Sequence, residues 1–105
     1  MTDSINTSTL SILKTFDVLL EEPLEGYSLI ELIPRTSGSK TGVNRALYTL
    51  EAAGWVESYK IKGTKAQKWK VAAKFLKSAH DYRTAVLEHI EATKTAYQSI
   101  TGKEL

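Results

Sequence analysis

The chain has 105 residues, a net charge of +2, 42% hydrophobic and 25% charged residues, and no cysteine. A chain of this length and composition folds as one domain around a single core, without room for a DNA-binding domain and a separate ligand-binding domain. The missing cysteine excludes disulfides, thiol nucleophiles and cysteine-based zinc sites. No apolar run nears the roughly 20 residues that cross a bilayer, and the opening MTDSINTSTL lacks the basic and apolar regions of a secretory signal. The expectation is therefore a soluble, cytoplasmic protein with no membrane contact.

Residues 1–7 read as a loose tail. From Ser8 to Glu22, Leu10, Leu13, Phe16, Leu19 and Leu20 recur at helical spacing, with Ser8 or Thr9 as the N-cap. Pro23 and Gly26 interrupt the chain. Ser28 and Glu31 then form a capping-box signature for a second, short helix that buries Leu29, Leu32 and Ile33 and ends close to Pro34. Thr36 to Ser39 form a turn. A third helix over 39–53 follows, with Val43, Leu47 and Leu50 as its inward stripe and Gly54 as its C′ glycine. Two helices joined by a short polar turn outline a helix-turn-helix.

Tyr59 and Ile61 alternate with Lys60 and Lys62, and beyond a turn at Gly63 and Thr64, Trp69 and Val71 alternate with Lys68 and Lys70. Period-two alternation predicts a hairpin over 59–71 with aromatics on one face and lysines on the other. From Ala72 to about Ile100 no proline or glycine breaks a long helix. Leu76, Ala79, Arg83, Val86, Ile90, Thr93, Tyr97 and Ile100 fall at alternating three- and four-residue steps along it, as in a coiled-coil seam. The organisation expected is a tail over 1–7, a winged helix-turn-helix over 8–75, and a C-terminal dimerisation helix over 76–105. The fold class is α+β, mostly helical, with a two-stranded wing.

Charge is unevenly spread. Residues 1–34 hold one lysine against six carboxylates, whereas residues 35–71 hold eight basic residues against two acidic ones. A basic middle third suits a phosphate-binding surface, because cations placed near phosphates release condensed counterions. A solvated charged face would give the same count. If the third helix enters a major groove, Lys40, Thr41, Asn44, Arg45 and Tyr48 are its outward candidates. Arginine pairs bidentately with guanine and asparagine with adenine, while lysine and threonine reach phosphates. Gly42 would let the backbone approach DNA closely. Lys60, Lys62, Lys65, Lys68 and Lys70 are the wing candidates, supplying affinity more than specificity.

Ser28 and Thr36 read as caps before phosphate ligands. Trp55, Tyr59 and Trp69 read as core packing under the wing before stacking platforms for single-stranded nucleic acid. His80 and His89 make neither a metal site nor an acid–base pair, and Glu21, Glu22 and Glu25 accompany no nucleophile, phosphate-cradling loop or metal spacing. No enzyme, cofactor or metal is expected. The dimer seam is assigned to Leu76, Ala79, Val86, Ile90, Tyr97 and Ile100.

The stretch SLIELIPRTSGSKTGVNRALYTLEAAGWVE resembles the N-terminal winged helix-turn-helix of IclR-type transcriptional regulators. The resemblance rests on Ser28 to Leu32, Lys40 and Thr41, Val43 and Arg45, the run Thr49-Leu50-Glu51, and Gly54 with an aromatic and a valine after it, and it covers about Leu10 to Lys77. It implies that the third helix is the recognition helix and the hairpin the wing. Pro34 and Gly42 depart from the family pattern. The family's effector domain does not follow, so no small-molecule effector is carried over. The function expected is a sequence-specific regulator of double-stranded DNA, acting as a homodimer. The alternative is a winged-helix module, an inhibitor or adaptor, that binds a partner protein.

Overall fold

A computed structural model describes residues 4–105. The elements are α1 (Thr7–Leu20), β1 (Tyr27–Ser28), α2 (Leu29–Thr36), α3 (Lys40–Ala52), β2 (Val56–Lys60), β3 (Gln67–Val71) and α4 (Ala73–Thr101). The chain divides into two compact units, one ending at Ala73 and the other running from Lys74 to Leu105.

The first helix begins and ends earlier than its apolar spacing predicts. Asn6 is the N-cap, its carboxamide oxygen accepting from the Thr9 amide at 3.0 Å, so Ser8 and Thr9 lie inside the first turn. The expected tail is thus structured from Asn6 onward, and residues 1–3 of it lie outside the described residues. The helix ends at Leu20 rather than Glu22, ahead of Pro23, whose ring disfavours the helical conformation in the residue before it.

The buried face of α1 is also rotated from the expected stripe. Thr15, Phe16, Val18 and Leu19 are buried, while Leu10, Leu13 and Leu20 are exposed. Thr15 can occupy the core because its hydroxyl donates to the Ser11 carbonyl at 2.9 Å, leaving no unsatisfied polar group.

At the start of α2 the capping box is complete. The Ser28 hydroxyl accepts from the Glu31 amide at 3.3 Å, and the Glu31 carboxylate accepts from the Ser28 amide at 2.9 Å. Pro34 lies inside the helix, where it cannot donate to the carbonyl of Ile30. Ile30 itself is 80% exposed. The helix ends two residues after the proline, through Ser37 in the left-handed conformation (φ 57°).

Ser39 caps α3 by accepting from the Gly42 amide at 3.0 Å. Val43, Ala46, Leu47 and Leu50 form the inward face of this helix. At its end, the Gly54 amide donates to Glu51 O and the Trp55 amide to Leu50 O, both at 2.9 Å, with Gly54 at φ 77°. This is a Schellman motif, and it needs a residue that tolerates positive φ at C′.

The wing belongs to a three-stranded antiparallel sheet in the order β1-β3-β2, one strand more than the expected hairpin. β2 starts at Val56 and stops at Lys60. Ile61 therefore lies in the turn, where its amide donates to Ala66 O at 3.0 Å.

The register corrects the expected separation of aromatics from lysines. Ser58 lies opposite Trp69 and Lys60 opposite Gln67, while Tyr59 lies opposite Lys68 and Glu57 opposite Lys70. Because neighbours along a strand point to opposite faces, Tyr59 shares a face with Lys68 and Lys70, and Lys60 shares the other with Trp69. A strand running from 56 rather than 59 shifts which residues face each other across the turn, and this pairing decides the faces.

Leu19, Leu32 and Leu47, one from each of α1, α2 and α3, are fully buried, as is Val71 of β3, and they belong to the core of the first unit. Phe16 packs edge-to-face on Trp55, with centroids 5.3 Å apart. In the second unit, α4 runs for 29 residues and buries none of them. Among the described residues no helix is long and apolar enough to cross a membrane.

Candidate nucleic-acid interface

Once Val43, Ala46, Leu47 and Leu50 are committed to the core, helical geometry turns positions 41, 44, 45 and 48 outward. Thr41, Asn44, Arg45, Tyr48, Thr49 and Ala52 line one open depression along α3. A second groove is bounded by Ser28, Leu29 and Ile30 at the head of α2, by Lys40 and Asn44 on α3, and by Ala66, Gln67 and Trp69 on the wing. Asn44 lines both. The five recognition-helix candidates are therefore brought onto one surface, and that surface continues onto the sheet.

The join is aromatic. Trp69 is 3% exposed and Tyr48 52% exposed, and their rings meet edge-on with centroids 5.4 Å apart at an interplanar angle of 84°. Trp69 is thus core packing, as expected, and also the wall against which the exposed Tyr48 is set. Trp55 packs on Phe16 within the first unit. Tyr59 does not lie under the wing. It stands on the outer sheet face, where its hydroxyl donates to Glu25 O at 2.7 Å and the Lys70 ammonium lies 5.3 Å from its ring centroid.

The wing candidates divide accordingly. Lys60 lies on the face of Gln67 and Trp69, which borders α3. Lys62 and Lys65 lie exposed in the turn between β2 and β3. Lys68 and Lys70 lie on the opposite face, with Glu57 and Tyr59 across from them. Lys68 also acts on Glu31, whose carboxyl is held below the ordinary glutamate range. The main cause is the hydrogen bond from the Ser28 amide, which outweighs desolvation; the Ser28 hydroxyl and the charges of Lys68 and Arg35 act in the same direction.

Ser28 serves as a cap, and Thr36 closes the turn, donating to Ile33 O and accepting from the Gly38 amide, both at 3.3 Å. Sequence reasoning missed Gln67, Ala66 and Ile30, which line the groove. Only the pairing of β1 with β3, Tyr27 opposite Trp69 and Ser28 opposite Lys68, brings the head of α2 beside the wing. A two-residue strand leaves no periodic signal that could have pointed to it. Leu76, Ala79, Val86, Ile90, Tyr97 and Ile100 lie on α4 in the second unit, and all are exposed. Among the described residues, no three histidines, cysteines or carboxylates stand close enough to hold a metal ion.

Three helices, with a short turn between α2 and α3, and the β2–β3 hairpin beside them make a winged helix-turn-helix, and known structures share this fold. The chain is similar to the Zalpha domain of Carassius auratus PKZ, solved in complex with Z-DNA (21% sequence identity over 63% of this chain and 98% of that one, TM-score 0.53). It is similar to the apo Zalpha domain of zebrafish PKZ (19% identity, 64% and 98% coverage, TM-score 0.55). It is also similar to a putative DNA-binding protein from Ralstonia eutropha (16% identity, 74% and 96% coverage, TM-score 0.51). No family model and no curated protein matches the chain. The fold is that of winged-helix domains.

Proposed function

We propose that the chain binds double-stranded DNA through α3 and the wing and acts as a regulator without catalytic activity. The observation that carries this is the single surface made by Lys40, Thr41, Asn44, Arg45 and Tyr48, continued by Gln67 and Trp69 and flanked by Lys60, Lys62 and Lys65. Arg45 and Asn44 are the base-contacting residues, and the lysines grip phosphate. Sequence-specific binding to two half-sites, homodimer formation through α4, kinship with IclR-type regulators and a cytoplasmic location complete the proposal. The wing lysines set affinity by displacing counterions from the duplex, so binding falls steeply as salt rises.

A second reading concerns the form of the duplex. Tyr48 rests edge-on against Trp69 within the polar surface, so it presents an oriented aromatic ring with a hydroxyl at its tip. In a left-handed duplex of alternating purines and pyrimidines, base edges that line the B-form major groove lie on the outer surface, within reach of such a ring. One neighbour in the fold comparison was solved in complex with Z-DNA, which favours testing this form.

One experiment addresses both. The chain is titrated, across a salt series, against genomic and random B-form fragments and against an alternating dC-dG duplex held left-handed by base bromination, with circular dichroism reporting duplex form. Enrichment of a motif with two half-sites is the result for an operator-binding regulator. Selective retention of the left-handed duplex is the result for recognition of form. No retention at low salt rejects DNA binding and turns attention to a protein partner.

A further inference from the structure

The spacing of the α4 seam is the same in either direction, as in any heptad seam, so the residues that fill it decide the orientation. Along its 29 residues, none of them buried, the eight positions from Leu76 to Ile100 are symmetric in spacing about residue 88. We propose that α4 pairs with α4 of a second copy in antiparallel register, with the two-fold axis passing beside residue 88. This rests on the homodimer reading above and adds its geometry.

Turning the helix about that point places Leu76 opposite Ile100 of the second copy, Ala79 opposite Tyr97, Arg83 opposite Thr93, and Val86 opposite Ile90. The same four pairings recur on the other side of the axis. The smallest seam residue meets the largest, and the one charge meets a hydroxyl that can accept a hydrogen bond. The remaining layers are apolar on both sides. Each residue that contacts a partner is contacted by it in return, which is what an isologous interface demands.

The parallel, in-register arrangement puts identical residues together. Arg83 would face Arg83 in a seam layer, an unpaired like-charge contact removed from water. Ala79 against Ala79 would leave space in one layer, and Tyr97 against Tyr97 would overfill another. In the antiparallel arrangement Leu87, exposed just beside the seam, lies next to its own copy at the axis and widens the apolar contact. Lys94, which flanks the Arg83 layer, has Glu91 3.7 Å away on its own helix.

The chain contains no cysteine, so single introduced cysteines in the full chain report the pairing. Light scattering first gives the mass of the wild type and of A79C, Y97C and L87C. Each variant is then treated with a short bis-maleimide, alone and with A79C mixed with a tagged Y97C. The antiparallel arrangement gives a cross-linked A79C–Y97C heterodimer and a self-linked L87C, with at least tenfold less self-linking of A79C or Y97C. Self-linking of A79C and Y97C in a dimer overturns the antiparallel register and leaves the homodimer standing. A dimer that none of these variants cross-links overturns pairing through α4. A monomer at all concentrations overturns the homodimer reading and this inference with it.

Discussion

The Tyr48 ring stands edge-on to Trp69, centroid to centroid 5.4 Å, and so one exposed aromatic on α3 takes its orientation from one buried aromatic on β3. Tyr48→Ala is expected to cost about 0.5–1.5 kcal/mol of stability, the scale of an aromatic pair, while lowering DNA affinity by at least tenfold. Trp69→Ala is expected to cost about 3–5 kcal/mol, the scale of deleting a buried aromatic. Urea denaturation and fluorescence anisotropy on labelled duplexes measure both. A Tyr48→Ala protein that binds as well as wild type would remove Tyr48 from the interface.

The wing lysines are expected to act unequally. Lys62→Ala and Lys65→Ala should weaken binding to all duplexes alike and each reduce the salt slope by about one. Lys70→Ala, whose ammonium sits over Tyr59 on the far sheet face, should leave the slope unchanged. Arg45→Ala should lose more on a selected site than on random DNA; equal losses would sink its base-reading role. Titrations at several salt concentrations separate these outcomes.

Gly26 is a position where no side chain fits. Its φ is +72°, and a Cβ there would lie 1.8 Å from the Trp69 carbonyl oxygen. Gly26→Ala is expected to break the β1–β3 pairing, at a cost above the roughly 1–2 kcal/mol of a left-handed conformation alone. Gly63→Ala has the same sign of φ, at +83°, but open space around it, and should cost only that conformational term. Thermal melts of the two variants compare them directly.

Acid should loosen the head of α2. Because the Glu31 pKa is depressed in the folded chain, its contribution is present above the unfolded glutamate pKa and is lost as pH falls through the folded value. Glu31→Gln should flatten stability against pH in that acidic range. Ser28→Ala should cost about 1 kcal/mol at neutral pH, as N-cap removal does. Denaturant midpoints from neutral to acidic pH provide the check.

Local chemistry made much of the first unit legible. Ser28 with Glu31 and Gly54 with Trp55 are motifs whose hydrogen bonds close within a few residues, so the limits of α2 and α3 could be read directly. The α3 face followed from Val43, Leu47 and Leu50 alone. What escaped depends on distant partners. Leu10 and Leu13 are as apolar as Leu19, but only the packing of α2, α3 and the sheet decides that Thr15 is buried and they are not. Tyr59 and Trp69 share a strand-like alternation, and the cross-strand register, set by a turn beginning at Ile61, puts them on opposite faces. The groove shared by Ile30, Lys40 and Gln67 joins segments up to 37 residues apart along the chain, and no local pattern encodes it.

The Tyr59 hydroxyl ties β2 to Glu25, 34 residues earlier in the chain, whereas the turn from Ile61 to Ala66 is held by its own short bonds and exposed throughout. The hairpin is thus tied to the rest of the first unit through Tyr59 and Trp69, while its exposed turn closes on bonds of its own. Lys62 and Lys65 sit on that exposed turn. On the DNA-binding reading proposed above, they would meet phosphates at the exposed end of the sheet while Trp69 stays buried beside Tyr48.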